Sequence, residues 1–230
     1  IERFGHSNIE FIQPPRWNRS NRPENIGVIR DPVQQEWIDF RCWAMADWLR
    51  EMTTFARDLK PSVAVDVNPH GLLGRNRAFQ AALWHPWFMK YTELIWSEEQ
   101  NYADYDRDGV INSKIRTFKM ARTLDNYVLT YKGDDRQHAE NLAFNQTLGN
   151  VGLTGGSEVG RKYYDFYRRY RHLYTGTENR EDAALLRSYA TMAYDNHRAA
   201  LEQCMFEQAM IQGRVPFDLV FDEQMSDLSR

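Results

Sequence analysis

The stretch Pro61-Ser62-Val63-Ala64-Val65-Asp66-Val67-Asn68-Pro69 decides the fold class. Its centre, Val63 to Asn68, is a short β-branched run bounded by prolines, the pattern of a strand buried on both faces of a parallel sheet. Just before it lies a long helical pattern. Asp31 can cap that helix, with Pro32 at its first position and Gln34 three residues after the cap. Apolar residues follow at Trp37, Phe40, Ala44, Met45, Trp48, Leu49, Met52, Phe55, Ala56 and Leu59, and the pattern ends at Lys60 before Pro61.

The alternation then continues. A helical or irregular stretch from Arg75 to Lys90 leads to a strand from Tyr91 to Ser97. A helix from about Ile111 to Leu124 leads to the strand Tyr127 to Tyr131, and a helix from about Gln137 to Leu148 leads to Val151 to Thr154. Parallel neighbours cannot be joined by a tight hairpin, so strands separated by helices at this spacing predict an α/β fold with a parallel sheet. Beyond Gly155-Gly156 the spacing predicts a Tyr- and Arg-rich helix over Lys162 to Tyr174, its aromatic stripe packed in the core. Glu178 to Asp182 reads as a linker, followed by a strand over Ala183 to Tyr189, a helix over Asn196 to Gln212 and a strand over Phe217 to Phe221. A domain boundary is expected near residues 176–182.

The bulk numbers fit this reading and narrow the partners. A chain of 230 residues that is 42% hydrophobic and 13% aromatic can bury a sizeable core. A net charge of -3, with Lys and Arg interspersed among acids, offers no basic face for nucleic acid. No apolar run approaches the roughly 20 residues that span a bilayer, so no membrane partner is expected, and Ile1 to His6 lacks the pattern of a signal peptide. The compartment stays open, with cytoplasm and periplasm both compatible. Cys42 and Cys204 are far apart in helical patterns and read as inert thiols. No Walker loop, Gly-x-Gly-x-x-Gly, His-Glu-x-x-His or Gly-x-Ser-x-Gly motif occurs, and no cofactor or metal is expected. Asp104 to Gly109 matches the first half of a calcium loop, but the twelfth position is Ile115 rather than a bidentate Glu, and a solvated loop is the default reading.

In parallel α/β folds the working residues sit at the carboxyl ends of strands, where the loops converge. The first strand end supplies Asp66, Asn68 and His70; the second supplies Trp96, Glu98 and Glu99; the third supplies Tyr131 and Lys132; the fourth supplies Thr154. Carboxylates, an amide, an imidazole and an aromatic platform suit a carbohydrate substrate, because acids move protons at a glycosidic oxygen while a Trp face packs on a sugar ring. Neighbouring residues on a strand point to opposite sides, so at most one of Glu98 and Glu99 faces a substrate. Glu98 shares parity with Leu94 and Trp96 and is the preferred catalytic acid or base; the alternative is a solvated or ion-paired strand end. Asp66 is the candidate partner carboxylate within the chain, with a residue upstream of Ile1 as an equal alternative. Asn68, His70, Trp96, Glu99 and Tyr131 are the candidates for contacting substrate. His70 and His85 can equally be loop or packing residues, and Glu140 and Asn141 lie near a helix start, where a carboxylate can simply complement the dipole.

Residues Gln35 to Cys42 (Gln-Glu-Trp-Ile-Asp-Phe-Arg-Cys), Pro61 to His70, Leu94 to Asn101 and Ser113 to Arg122 resemble a group of hypothetical glycoside hydrolases. That group looks related to the β-galactosidases that carry a trimerisation domain after a (β/α)8 barrel. The resemblance implies that Pro61 to Val65 is the fifth barrel strand, Ile95 to Glu98 the sixth and Tyr127 to Tyr131 the seventh. It implies a partial TIM barrel, about strands five to eight, over residues 1–178, then the start of a flavodoxin-like α/β domain over residues 179–230. It also implies a glycosidase, with a homo-oligomer through the second domain as an open possibility. In well-studied β-galactosidases the acid/base lies on the fourth strand and the nucleophile Glu on the seventh. Tyr127 to Gly133 contains no Glu. Either Glu98 therefore takes a catalytic role, or the barrel is an inactive carbohydrate-binding or assembly unit.

Overall fold

The computed structural model describes residues 28–69, 71–72, 75–99, 102–130, 134–146, 158–195 and 198–227. Helix α1 (Pro32–Leu59) begins and ends where the sequence puts it: the Asp31 carboxylate accepts from Val33 N at 3.0 Å, Pro32 opens the first turn, and Lys60 closes the last. Its buried stripe is Ile38, Cys42, Ala46, Leu49 and Thr53. Trp37, Phe40, Ala44 and Ala56 are half-buried, whereas Met45, Trp48, Met52, Phe55 and Leu59 lie on an adjacent side and are exposed, Trp48, Phe55 and Leu59 by 58%, 62% and 73%.

Three parallel strands follow in chain order: β1 (Asp66–Val67), β2 (Leu94–Ser97) and β5 (Tyr127–Thr130). Asp66 pairs with Leu94, Leu94 with Tyr127, and Ser97 with Thr130. Short helices α2 (Arg77–Ala81) and α3 (His85–Met89) form the first crossover, and α4 (Ile115–Thr123) the second. The sheet is thus parallel with helical crossovers, as its sequence predicts, but its strands are shorter than expected. Of Val63 to Asn68 only Asp66 and Val67 pair, none of that run is buried, and β2 begins at Leu94 instead of Tyr91. Its two faces differ: Ile95, Ser97, Val128 and Thr130 are fully buried, whereas Asp66 and Tyr127 are exposed and Leu94, Trp96 and Leu129 half-buried. The buried face meets a core containing Phe118, Met120, Phe88 and Met89, where each large side chain contributes roughly 1.5–3 kcal/mol.

The second crossover departs from expectation. Ile111 and Asn112 form strand β4, paired antiparallel with β3 (Asp104–Tyr105), and α4 starts only at Ile115. The hairpin turn explains the shift. Asp106 Oδ1 accepts from Asp108 N and Val110 N at 2.9 and 2.8 Å, and Gly109 takes the left-handed φ of 78° that the turn needs. The calcium-like stretch is therefore a hairpin whose acid satisfies main-chain donors. Gln212 and Gln208 then bind Ile111 N and O, which keeps Ile111 extended instead of helical.

Helix α5 (Asp135–Ala143) starts two residues before its expected position, because Asp134 caps it by accepting from Gln137 N. The predicted strand Val151 to Thr154 lies outside the described residues. Helix α6 (Glu158–Tyr170) continues as a 3-10 turn to Leu173. Its aromatic stripe does not pack in the core: Tyr164, Phe166 and Tyr167 are exposed, and Tyr163 stacks on buried His138 with ring centroids 5.4 Å apart. No helix of the described residues is long and apolar enough to cross a membrane.

Strands β6 (Ala183–Arg187) and β7 (Phe217–Phe221) form a second parallel pair, linked by α7 (Tyr189–Ala193) and α8 (Arg198–Gly213). Phe217, Leu219 and Phe221 alternate inward and join the same core as Phe118 and Ile95. Asn76 fastens the two sheets together. It caps α2 by accepting from Phe79 N at 2.9 Å, and its amide donates to Ala193 O and Asp195 O at 2.7 and 2.6 Å. Replacing Asn76 by Ala should lower unfolding stability by about 2–3 kcal/mol, since it removes a cap and orphans carbonyls in a site only 2% exposed. Urea denaturation checks this, and a midpoint unchanged from the parent would contradict it.

Candidate functional site

The carboxyl ends of β1 and β2 bring together three of the residues singled out in the sequence, Asn68, Trp96 and Glu98. Asp66 has the same parity but opens β1 instead of ending it. It pairs with Leu94, four residues before Glu98, an offset of roughly 13 Å along the strand, so the expected meeting of Asp66 with Glu98 at one strand end is not found. Asn68 Nδ2 donates to Glu98 Oε1 at 2.7 Å, so the first two strand ends are joined by a direct contact. Asp66 and Asn68 are exposed, and Trp96 and Glu98 half-buried. An aromatic ring, an amide and one carboxylate thus line one side of the rim, with Asp66 further back along the same face. His70, Tyr131, Lys132 and Thr154 lie outside the described residues.

Glu99 is turned the other way. Its side chain is 3% exposed; Oε1 accepts from Gly71 N and Oε2 from the Ser97 hydroxyl. A carboxylate held there is occupied by the protein, which separates its surroundings from those of Glu98. Strand parity anticipates this division between the two neighbours, whereas the assignment of Glu99 as a substrate contact does not.

Beneath the rim lies a polar cluster that sequence reasoning missed. Lys114, fully buried at the start of α4, donates from Nζ to Ser97 Oγ at 3.0 Å and to Glu99 O at 2.6 Å, and stands 3.9 Å from Glu99 Oε2. Burial pushes its ammonium down to about 8, against the opposing pull of Glu99 and Glu140. Across the sheet, Thr130 Oγ1 accepts from Asn141 Nδ2 at 3.3 Å, and Asn141 Oδ1 accepts from Gln137 Nε2 at 2.8 Å. Glu140 accepts from Lys114 N at 3.4 Å and Gln137 Nε2 at 3.2 Å, and burial pushes its carboxyl up to about 7. Glu140 therefore stands at the N-terminus of α4 and complements that helix's dipole, instead of the start of its own helix. One signal was available in the sequence: Ser97 and Thr130 are polar residues at the ends of strands whose same-parity neighbours, Ile95 and Val128, are core residues.

The remaining candidates have structural surroundings. His85 is buried against Phe88, with ring centroids 5.7 Å apart. Cys42 is buried and its thiol pushed up to about 12 by desolvation, and burial raises the Cys204 thiol as well, in keeping with inert thiols. Among the described residues no group of three or more His, Cys, Asp or Glu side chains could hold a metal ion. A cleft of about 680 Å³ opens between α4, the end of α5 and α8, lined by Ile115, Phe118, Arg122, Phe144, Glu181 and Phe217 among others. It includes none of Asp66, Asn68, Trp96 or Glu98. The chain matches no protein-family model, no curated protein and no solved structure, so the functional reading rests on the strand ends themselves.

Proposed function

We propose that the protein processes carbohydrate, as a glycoside hydrolase built on part of a (β/α)8 barrel, with Glu98 as the acid or base and Asp66 as its partner carboxylate. The observation that carries the reading is the rim itself: Asn68, Trp96 and Glu98 on one side, with the Asn68 amide directed at the Glu98 carboxylate and Asp66 further back along the same face. Glycoside cleavage needs a proton delivered to the leaving oxygen and a carboxylate near an oxocarbenium-like centre. Glu98 and Asp66 are of the right type for those tasks, Asn68 orients the Glu98 carboxylate, and Trp96 offers a ring to the sugar. Strands that are parallel and adjacent in chain order, joined by helical crossovers, support the barrel reading. The parallel pair β6 and β7, with α8 between them, supports an α/β segment after residue 178.

A second reading has one observation in its favour: Tyr127 to Thr130 offers no Glu beside Glu98, so the barrel can bind sugar without cleaving it. A panel of chromogenic α- and β-glycosides, with calorimetry on the matching free sugars, separates the two. Turnover of at least one glycoside, inhibited by its free sugar, is the expected result. Sugar binding without turnover across the panel would favour the binding reading, and neither binding nor turnover would remove carbohydrate altogether.

A further inference from the structure

Glu98 and Glu99 are neighbours in sequence with opposite surroundings, and the buried one is tied to the loop that carries Asn68, the partner of the other. Lys114 Nζ holds the main-chain carbonyl of Glu99 at 2.6 Å and lies 5.4 Å from the centre of the Tyr102 ring. The Glu99 carboxylate holds Gly71 N, and Leu72 N donates to Thr117 Oγ1 at 3.3 Å. Contact between the loop after β1 and this cluster is close enough that a Cβ on Gly71 would collide with the Thr117 side chain and come within 2.9 Å of Glu99 Oε1. That loop carries Asn68, three residues earlier, whose amide meets Glu98.

We infer that the buried Glu99–Lys114 pair is a positioning device, which clamps the loop after β1 so that Asn68 holds the Glu98 carboxylate in one orientation toward the open rim. Glu99 and Lys114 touch no substrate in this role; they act through Gly71, Asn68 and the Glu99 carbonyl. The inference rests on the reading of Glu98 as the acid or base, since only a carboxylate with a task gains from a fixed orientation. A buried polar network of this kind holds a single arrangement when every member is satisfied, and here the ammonium, the carboxylate and the Ser97 hydroxyl satisfy one another.

Removing one partner alone would leave a buried charge uncompensated and could unfold the chain. The test therefore uses the double variant Glu99→Leu with Lys114→Met, which removes both charges and the acceptor of the Gly71 amide, and Gly71→Ala as an independent disturbance of the same contact. Two readouts need no turnover: hydrogen exchange at the Gly71 and Leu72 amides, and the exchange of the Asn68 side-chain NH2 followed by NMR. Both should accelerate about tenfold, the change expected when one hydrogen bond of ordinary strength is lost, while amides of β7 and α8 keep their protection. On any glycoside that the protein cleaves, kcat should fall by a similar factor with KM unchanged. Parental exchange at Gly71, Leu72 and Asn68, or acceleration shared evenly with β7 and α8, overturns the inference. The exchange rates decide this without turnover: a protein that cleaves nothing but shows the local acceleration loses the glycosidase reading and keeps the clamp.

Discussion

Replacing Glu207 by Ala should lower unfolding stability by about 3–5 kcal/mol, because it strands a guanidinium in the interior. Glu207 is fully buried on α8 and receives Arg187 from the end of β6, with Nε at 2.7 Å from Oε1 and a terminal nitrogen at 2.8 Å from Oε2. Arg116 of α4 reaches the same carboxylate at 3.1 Å. Arg187 is itself only 2% exposed, so without Glu207 its charge has neither water nor an anion. The Ala variant should therefore show a markedly lower urea midpoint at constant slope. A companion variant separates charge from packing. Changing Glu207, Arg187 and Arg116 together to apolar residues of similar volume removes the desolvation penalty along with the attraction, and should leave stability within about 1–2 kcal/mol of the parent. A triple variant as unstable as the single one would show that the loss comes from packing instead of from a stranded charge.

What is legible in the sequence, and what is not, divides along the range of the forces involved. The helix Pro32 to Leu59 is readable because proline and capping act within a few residues. The strand Tyr127 to Thr130 is readable from equally local signals. Of the run Val63 to Asn68 only Asp66 and Val67 pair as strand and none of it is buried, because β-branching favours extended backbone without supplying the neighbours that would cover it. Ile111 reads wrongly as helical because its conformation is decided by two glutamines about 100 residues later, on α8, and by a turn acid at Asp106 that looks like a metal ligand. The stripe on α6 reads wrongly as core because periodicity reports that a face is apolar, not that anything covers it; the same holds for Trp48 and Phe55 on α1. At the candidate site, strand parity alone separates Glu98 from Glu99. Lys114 is invisible, since a lysine before a helix is ordinarily solvated, and only the three-dimensional meeting of Ser97, Glu99 and Tyr102 makes a buried place for it.

Substituting Glu98 by Gln should reduce kcat on a cleaved glycoside by on the order of 10³-fold with little change in KM, within the range that a positioned acid or base supplies. Gln keeps the size of the side chain and an oxygen that can still accept from Asn68, whose amide meets Glu98 Oε1 at 2.7 Å, so neither the fold nor sugar binding has a reason to suffer. Only the proton is lost. A loss confined to kcat would mean that Glu98 contributes in the transition state and not to ground-state affinity, about 4 kcal/mol of barrier at that fold-change. Asn68→Ala should act in the same direction but more weakly, because it frees the carboxylate without removing it. The ordering matters more than either value: a positioning amide cannot matter more than the group it positions. Turnover by the Gln variant within twofold of the parent would take Glu98 out of the chemistry, and an Asn68 variant slower than the Glu98 variant would place the reacting group elsewhere on that face of the sheet, with Asp66 next to be replaced.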